Sequence, residues 1–168
     1  RLKSLQVLYP SIQTTQNSEE ITRGKDIDAV VITTPVSTHF QLAKDALSYG
    51  KDVLCEKPLT IRTSESMELA KLADDKKLIL MVGHVFLFNP GILELKKRIE
   101  SKEIGELYYL HAQRTNLGPV RGDVNAVYDL ASHDISIFNF LLGSHPKVLS
   151  AAGKCYLQKN VEEVAFIS

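Results

Sequence analysis

The 168-residue chain has no excess of either charge, since 20 Lys and Arg stand against 20 Asp and Glu. That balance removes the basic footprint by which proteins hold nucleic-acid backbones or anionic membranes. Cysteine is scarce. Cys55 and Cys155 are the only two, and they form neither a Cys-x-x-Cys pair nor Cys/His ligand spacing, which argues against zinc and suits a reducing cytosol. No apolar run approaches the roughly 20 residues that span a bilayer, and no leader-type segment precedes the first strand pattern. A cytoplasmic protein is expected. Nor does a Gly-x-Gly-x-x-Gly turn occur anywhere, so the sequence carries no glycine-rich pyrophosphate cradle.

What is present suffices for a packed core, with 44% hydrophobic and 24% charged residues. The chain opens on Arg1 rather than Met, and Leu2, Leu5 and Leu8 fall near one helical face. We therefore expect a piece truncated at its amino end that begins inside a helix. After a β-prone stretch at Ser11–Thr15, Asn17-Ser18-Glu19-Glu20 has the form of a helix capping box. The run Asp28–Thr34 has a continuous apolar centre, the pattern of a parallel strand covered on both faces. Helix 38–49 closing at Gly50, strand 52–56, helix 64–76 and strand 78–82 follow.

This alternation predicts part of a doubly wound parallel α/β sheet with its ligand crevice at the strand carboxyl ends. Those ends are Thr33-Thr34-Pro35, Cys55-Glu56-Lys57-Pro58 and Gly83-His84. Beyond His84 the pattern changes. A helix over 90–100 starts at Asn89-Pro90, a strand is expected over 107–115, and a polar loop runs through 116–125. Helix 132–142 and strands near 147–156 and 163–168 complete an α+β unit. We expect two parts, residues 1–84 and 85–168.

Several side chains could carry chemistry. Lys57 at a strand mouth can polarise a substrate oxygen, although Glu56-Lys57-Pro58 is equally readable as a solvated turn. Asp129 and His133 are one helical turn apart, where a carboxylate can orient an imidazole acting as general base; Asp129 as a helix cap is the competing reading. His39 sits where it could touch a cofactor or serve a surface role, and His84 reads as a hydrogen-bonded cleft histidine. Arg114, Asn116, Arg121 and Asn125 offer forks and amides for an anionic, hydroxyl-rich ligand. Cys55, in a strand, reads as an inert buried thiol. Arg121-Gly122-Asp123 matches an adhesion tripeptide by chance. His84, His111, Asp129 and His133 lack metal-ligand spacing, so no metal site is expected.

Taken in order, Thr34-Pro35 with His39, Glu56-Lys57-Pro58, Gly83-His84, Phe88-Asn89-Pro90 and Asp129-x-x-x-His133 resemble the glucose-fructose oxidoreductase, inositol dehydrogenase and MocA (Gfo/Idh/MocA) family. The segment from Arg114 to Ile137 is most similar to members acting on nucleotide-linked amino sugars. The resemblance implies a partial dinucleotide-binding (Rossmann) domain at 1–84. It implies a partial substrate and oligomerisation domain at 85–168 with an open, mainly antiparallel sheet. The implied activity is hydride transfer between NAD or NADP and a ring hydroxyl of a sugar, cyclitol or UDP-N-acetyl amino sugar. A truncated, non-catalytic binding or assembly relative is the alternative. Lys57, Asp129 and His133 would be catalytic. Thr34, Pro35, His39, Glu56, Lys57 and Pro58 would line the nicotinamide end, and Arg114, Asn116, Arg121 and Asn125 the substrate. The implied partners are a small-molecule sugar or nucleotide sugar and further copies of the chain, with neither nucleic acid nor membrane. Ser132 and Tyr128 depart from the proline and tryptophan common at these places in relatives.

Overall fold

The computed structural model describes residues 2–115 and 122–168. Two short helices lead in, α1 (Leu2–Leu8) and α2 (Ser18–Thr22). The expected capping box is half made: the Asn17 side chain accepts from the Glu19 amide at 3.0 Å, while the Asn17 amide donates to Thr15 Oγ1 rather than to Glu20. No strand forms at 11–15.

Three parallel strands follow, β1 (Ala29–Ile32), β2 (Asp52–Cys55) and β3 (Leu80–Val82), in that spatial order. Ile32 lies opposite Cys55, and Cys55 opposite Val82. Two helices, α3 (His39–Ser48) and α4 (Thr63–Lys76), form the connections and pack on each other. Because side chains alternate across a strand, Ile32, Val53 and Cys55 face these helices and meet Ala43, Ala46, Leu47, Leu69 and Ala73 in a closed core. Gly50, at φ +77°, turns the chain out of α3 into β2, a conformation that favours glycine.

The opposite face differs from expectation. Val31, Leu54 and Met81 stand beside one another there, and among the described residues no helix covers them; Val31 is 64% exposed. The uniformly apolar strands predict cover on both faces, and α3 and α4 supply it on one.

The second part contains α5 (Pro90–Glu100) and α6 (Ser132–Leu142), packed together. Asn89 caps α5, its side chain accepting from Gly91 N at 2.9 Å, with Pro90 in the first turn. An antiparallel pair, β4 (Ala151–Lys154) and β5 (Val164–Ile167), closes the chain. Residues 107–115, expected as a strand, form none: Tyr108 and Tyr109 are exposed and pair with no described strand. Alternating sequence alone cannot make a strand without a neighbour to share its hydrogen bonds.

Leu47 and Leu69 are fully buried in the core. Replacing Leu47 by Ala is expected to cost about 2–5 kcal/mol of unfolding free energy, measured by urea titration. A loss below about 0.5 kcal/mol would contradict this packing.

Candidate active site

The three strand ends open on one side. A pocket of about 190 Å³ lies there and along the uncovered sheet face, lined by Val31, Leu54, Glu56, Met81, Gly83, His84, Val85 and Phe88. The Glu56 carboxylate rests over Gly83 so closely that a Cβ at that position would come within 3.3–3.4 Å of it. A side chain at 83 would press on that carboxylate, which would have to give by a few tenths of an ångström.

Beyond Glu56 the chain turns through a cis Lys57-Pro58 peptide. The Lys57 side chain, largely buried, reaches across to the second part of the molecule. Its ammonium donates to the Asp129 backbone carbonyl and lies 3.5 Å from the Asp129 carboxylate. A neighbouring contact repeats the link, the Tyr128 hydroxyl donating to the Ile61 carbonyl at 2.8 Å. The expected partnership of Asp129 with His133 gives way to one between Asp129 and Lys57.

The reason is local. Val127–Ala131 is a π-helical turn, not the α-helical turn that would stack positions 129 and 133 on one face. At its end the Ser132 hydroxyl donates to the Tyr128 carbonyl at 2.9 Å, while the Ser132 amide bonds Val127 O, five residues back.

His133 therefore sits in other company. Phe86 meets its ring edge to face, with centroids 4.8 Å apart and planes at 78°. Arg114 stacks on Phe86 at 4.9 Å and forms a bidentate bridge to Asp134, with contacts of 3.0 and 2.8 Å. Arg114, expected as a free fork for a ligand, is thus engaged with a carboxylate of the chain itself. Asn125 is also committed, its amide donating to Glu162 and its oxygen accepting from the Tyr128 amide. Asn116 and Arg121 lie outside the described residues.

Electrostatics follow from this packing. Burial pushes the His133 imidazole below its ordinary range, and the Lys57 and Arg114 cations push the same way, against the opposing pull of Asp134. His84 is likewise lowered by burial. The Nδ1 atoms of both rings are buried without a hydrogen-bond partner among the described residues, so on that nitrogen His84 lacks the bond that its position suggested. Cys55 is buried, and burial with the neighbouring Glu56 pushes its thiol up to about 12, as an inert core thiol requires.

Thr34 and His39 stand at the β1 end. The Thr38 hydroxyl donates to the Pro35 carbonyl at 2.7 Å, so the 2.6 Å contact between Thr34 and Thr38 has Thr34 as donor. Pro35, expected to line the nicotinamide end, leads into the 3-10 turn Val36–Thr38. His39 is only 1% exposed, with both ring nitrogens on backbone carbonyls. It faces the fold rather than a ligand. Sequence reading also missed Phe86 and Asp134; an aromatic three residues past a strand-end glycine carries no distinctive signal.

Comparison with known proteins agrees with this architecture. Residues 3–84 match the model of the oxidoreductase family with an NAD-binding Rossmann fold, and residues 92–168 match the GFO/IDH/MocA C-terminal domain. The chain is 35% identical over 131 residues to UDP-N-acetylglucosamine 3-dehydrogenase of Acidithiobacillus ferrooxidans, covering 76% of this chain and 40% of that protein. It is 32% identical over 140 residues to the NAD(+)-dependent scyllo-inositol 2-dehydrogenase of Bacillus subtilis, covering 80% and 41%. The crystal structure of an NAD-binding protein from Listeria innocua superposes with a TM-score of 0.81 at 25% identity, over 99% of this chain and 51% of that one. The chain spans about half or less of the length of these relatives.

Two measurements test the site. Because the folded-state values of His84 and His133 lie below the ordinary 6.5 or so, the unfolded chain takes up these protons first. Stability present above that pH is then lost as pH falls through the folded values. The urea midpoint should drop between pH 7.5 and 5.5, and less so in a His84→Gln/His133→Gln variant; equal drops would refute the assignment. Under native conditions at pH 8, a chromogenic disulfide reagent should label Cys155, which is partly exposed, and spare Cys55. Equal labelling rates would show that Cys55 is accessible.

Proposed function

The chain belongs to the Gfo/Idh/MocA oxidoreductase family, and on that premise we propose that it is the substrate-side portion of an NAD(P)-dependent dehydrogenase. Its substrate class is a sugar, cyclitol or UDP-N-acetyl amino sugar oxidised at a ring hydroxyl. The observation that carries this reading is the Lys57 ammonium beside the Asp129 carboxylate, close enough to the His133 imidazole that it and Arg114, with burial, hold that ring toward the neutral form.

The residues present suit the redox end of a nicotinamide dinucleotide, with Thr34, Glu56 and Lys57 at the carboxyl ends of parallel strands. When bound, the nicotinamide ring supplies the hydride-accepting carbon. The protein's own groups do the rest. His133, neutral and with Nδ1 enclosed, takes the hydroxyl proton at Nε2. Lys57 steadies the negative charge that develops on the substrate oxygen. The two contacts to Asp129 use two of its three ammonium N–H groups, which leaves one for substrate. Asp129 aims that ammonium through its carbonyl and its carboxylate. Arg114, with Asp134, acts on the base by packing through Phe86 rather than by binding the ligand. Asn116 and Arg121 are the remaining candidates for the substrate side, and copies of the chain associate through residues 85–168.

Fluorescence titration with NADH of a protein carrying a glycine-rich βαβ unit ahead of these residues should show saturable binding, and no binding would favour a non-catalytic relative. With a glycine-rich βαβ unit fused ahead of residue 1, Lys57→Ala and His133→Ala should each lower kcat by about 10²-fold or more. Unchanged turnover in both would remove them from the chemistry.

A further inference from the structure

We propose that Tyr128 is the positioning residue that keeps Lys57 seated on Asp129, a rigid spacer pinned in the second part at one end and on the loop after Lys57 at the other. Its backbone is held on both sides. The Tyr128 amide donates to the Asn125 side-chain oxygen at 3.2 Å, and the Tyr128 carbonyl accepts from the Ser132 hydroxyl at 2.9 Å. Asn125 is itself tied down, its side-chain amide donating to the Glu162 carboxylate at 3.1 Å. A tyrosine side chain has only two torsions and a flat ring, so fixing its backbone leaves the hydroxyl little freedom. That hydroxyl donates to the Ile61 carbonyl at 2.8 Å.

The receiving loop is fixed as well. The Pro58 carbonyl meets the His39 ring, and the Thr60 hydroxyl donates to the Arg62 carbonyl at 2.7 Å and lies 2.6 Å from the Ser66 hydroxyl of α4. Among the described hydrogen bonds, two join this side to the π-helical turn: Tyr128 to Ile61 and Lys57 to Asp129. Tyr128 and Asp129 are adjacent, and Ile61 lies four residues beyond Lys57, so the two contacts close one small ring of chain. A shift of the loop along the turn strains both together. Their characters differ: the lysine stem is long and gives up rotamer freedom to seat its ammonium, whereas the tyrosine bond comes from a neutral group with few torsions. The tyrosine therefore sets the distance at which the ammonium finds its carbonyl. The bearing on turnover rests on the dehydrogenase reading above; the contact itself does not.

The test reads Lys57 rather than turnover, so failure of NADH binding and failure of positioning are separate results. Reductive methylation of the 168-residue chain, followed site by site by peptide mass spectrometry, compares wild type, Tyr128→Phe, Ser132→Ala and the double variant. The Lys57 side chain is 15% exposed, so its rate reports how often the ammonium leaves Asp129. Lys51, buried with its ammonium on the Gly24 and Ile27 carbonyls, is the internal reference for general loosening. Tyr128→Phe removes the hydroxyl and keeps the ring. It should raise the Lys57 rate about 2- to 10-fold, the factor that corresponds to the net contribution of one hydrogen bond, and leave Lys51 unchanged. Ser132→Ala should act in the same direction. The double variant should differ little from Tyr128→Phe, because a spacer released at one end loses nothing further at the other. An unchanged Lys57 rate in Tyr128→Phe, an equal rise at Lys51, or multiplied effects in the double variant would each overturn the positioning role.

Discussion

The contact on which the site depends is the Lys57 ammonium seated on Asp129. A lysine from the end of a parallel strand and a peptide carbonyl from a π-helical turn meet there, with 72 residues of chain between them. Strand β2 fixes one end of the contact through its pairing with β1 and β3, and α6 fixes the other. The Tyr128 to Ile61 bond runs alongside, so the cleft has two polar struts rather than one. Exposed ion pairs contribute little; this one is mostly sheltered, and its partner includes a backbone carbonyl that cannot rotate away.

Around that strut the charges are arranged asymmetrically. Lys57 and Arg114 both bias His133 toward the neutral form, and Arg114 in turn is neutralised by Asp134 through two parallel bonds. Phe86 lies between the guanidinium and the imidazole, touching both. An aromatic ring so placed transmits position without transferring protons. The imidazole is thus biased by cations it does not contact directly.

The parallel sheet was legible because period-two and period-3.6 patterns are strong there: β1, β2 and β3 fall inside the expected runs, and α5 and α6 have the expected limits. The convergence of the strand ends was legible from topology alone. Pairing within the second part was not, because residues 107–115 open on a β-prone Leu-Tyr-Tyr-Leu run but have no described partner strand. The pairings among the candidate site residues were misread. Asp129 and His133 were placed together by assuming an α-helix, and the turn over Val127–Ala131 is π-helical instead. Arg114 was read as free because Asp134, 20 residues away, carries no local sign of being its partner. His39 was placed beside a ligand because a polar residue at a helix start is usually exposed; here two carbonyls hold it inside.

The π-helical turn bears on how this region tolerates changes of length. It holds one residue more per turn than an α-helix needs, and each residue advances a helix by about 100°. Deleting a single residue between Val127 and Ala131 would let the segment relax into ordinary α-helix while α6 stayed anchored on α5. The rotation would fall entirely on the preceding side chains, carrying the carboxylate and carbonyl of Asp129 away from Lys57. In this stretch the number of residues is as much a part of the site as their identity.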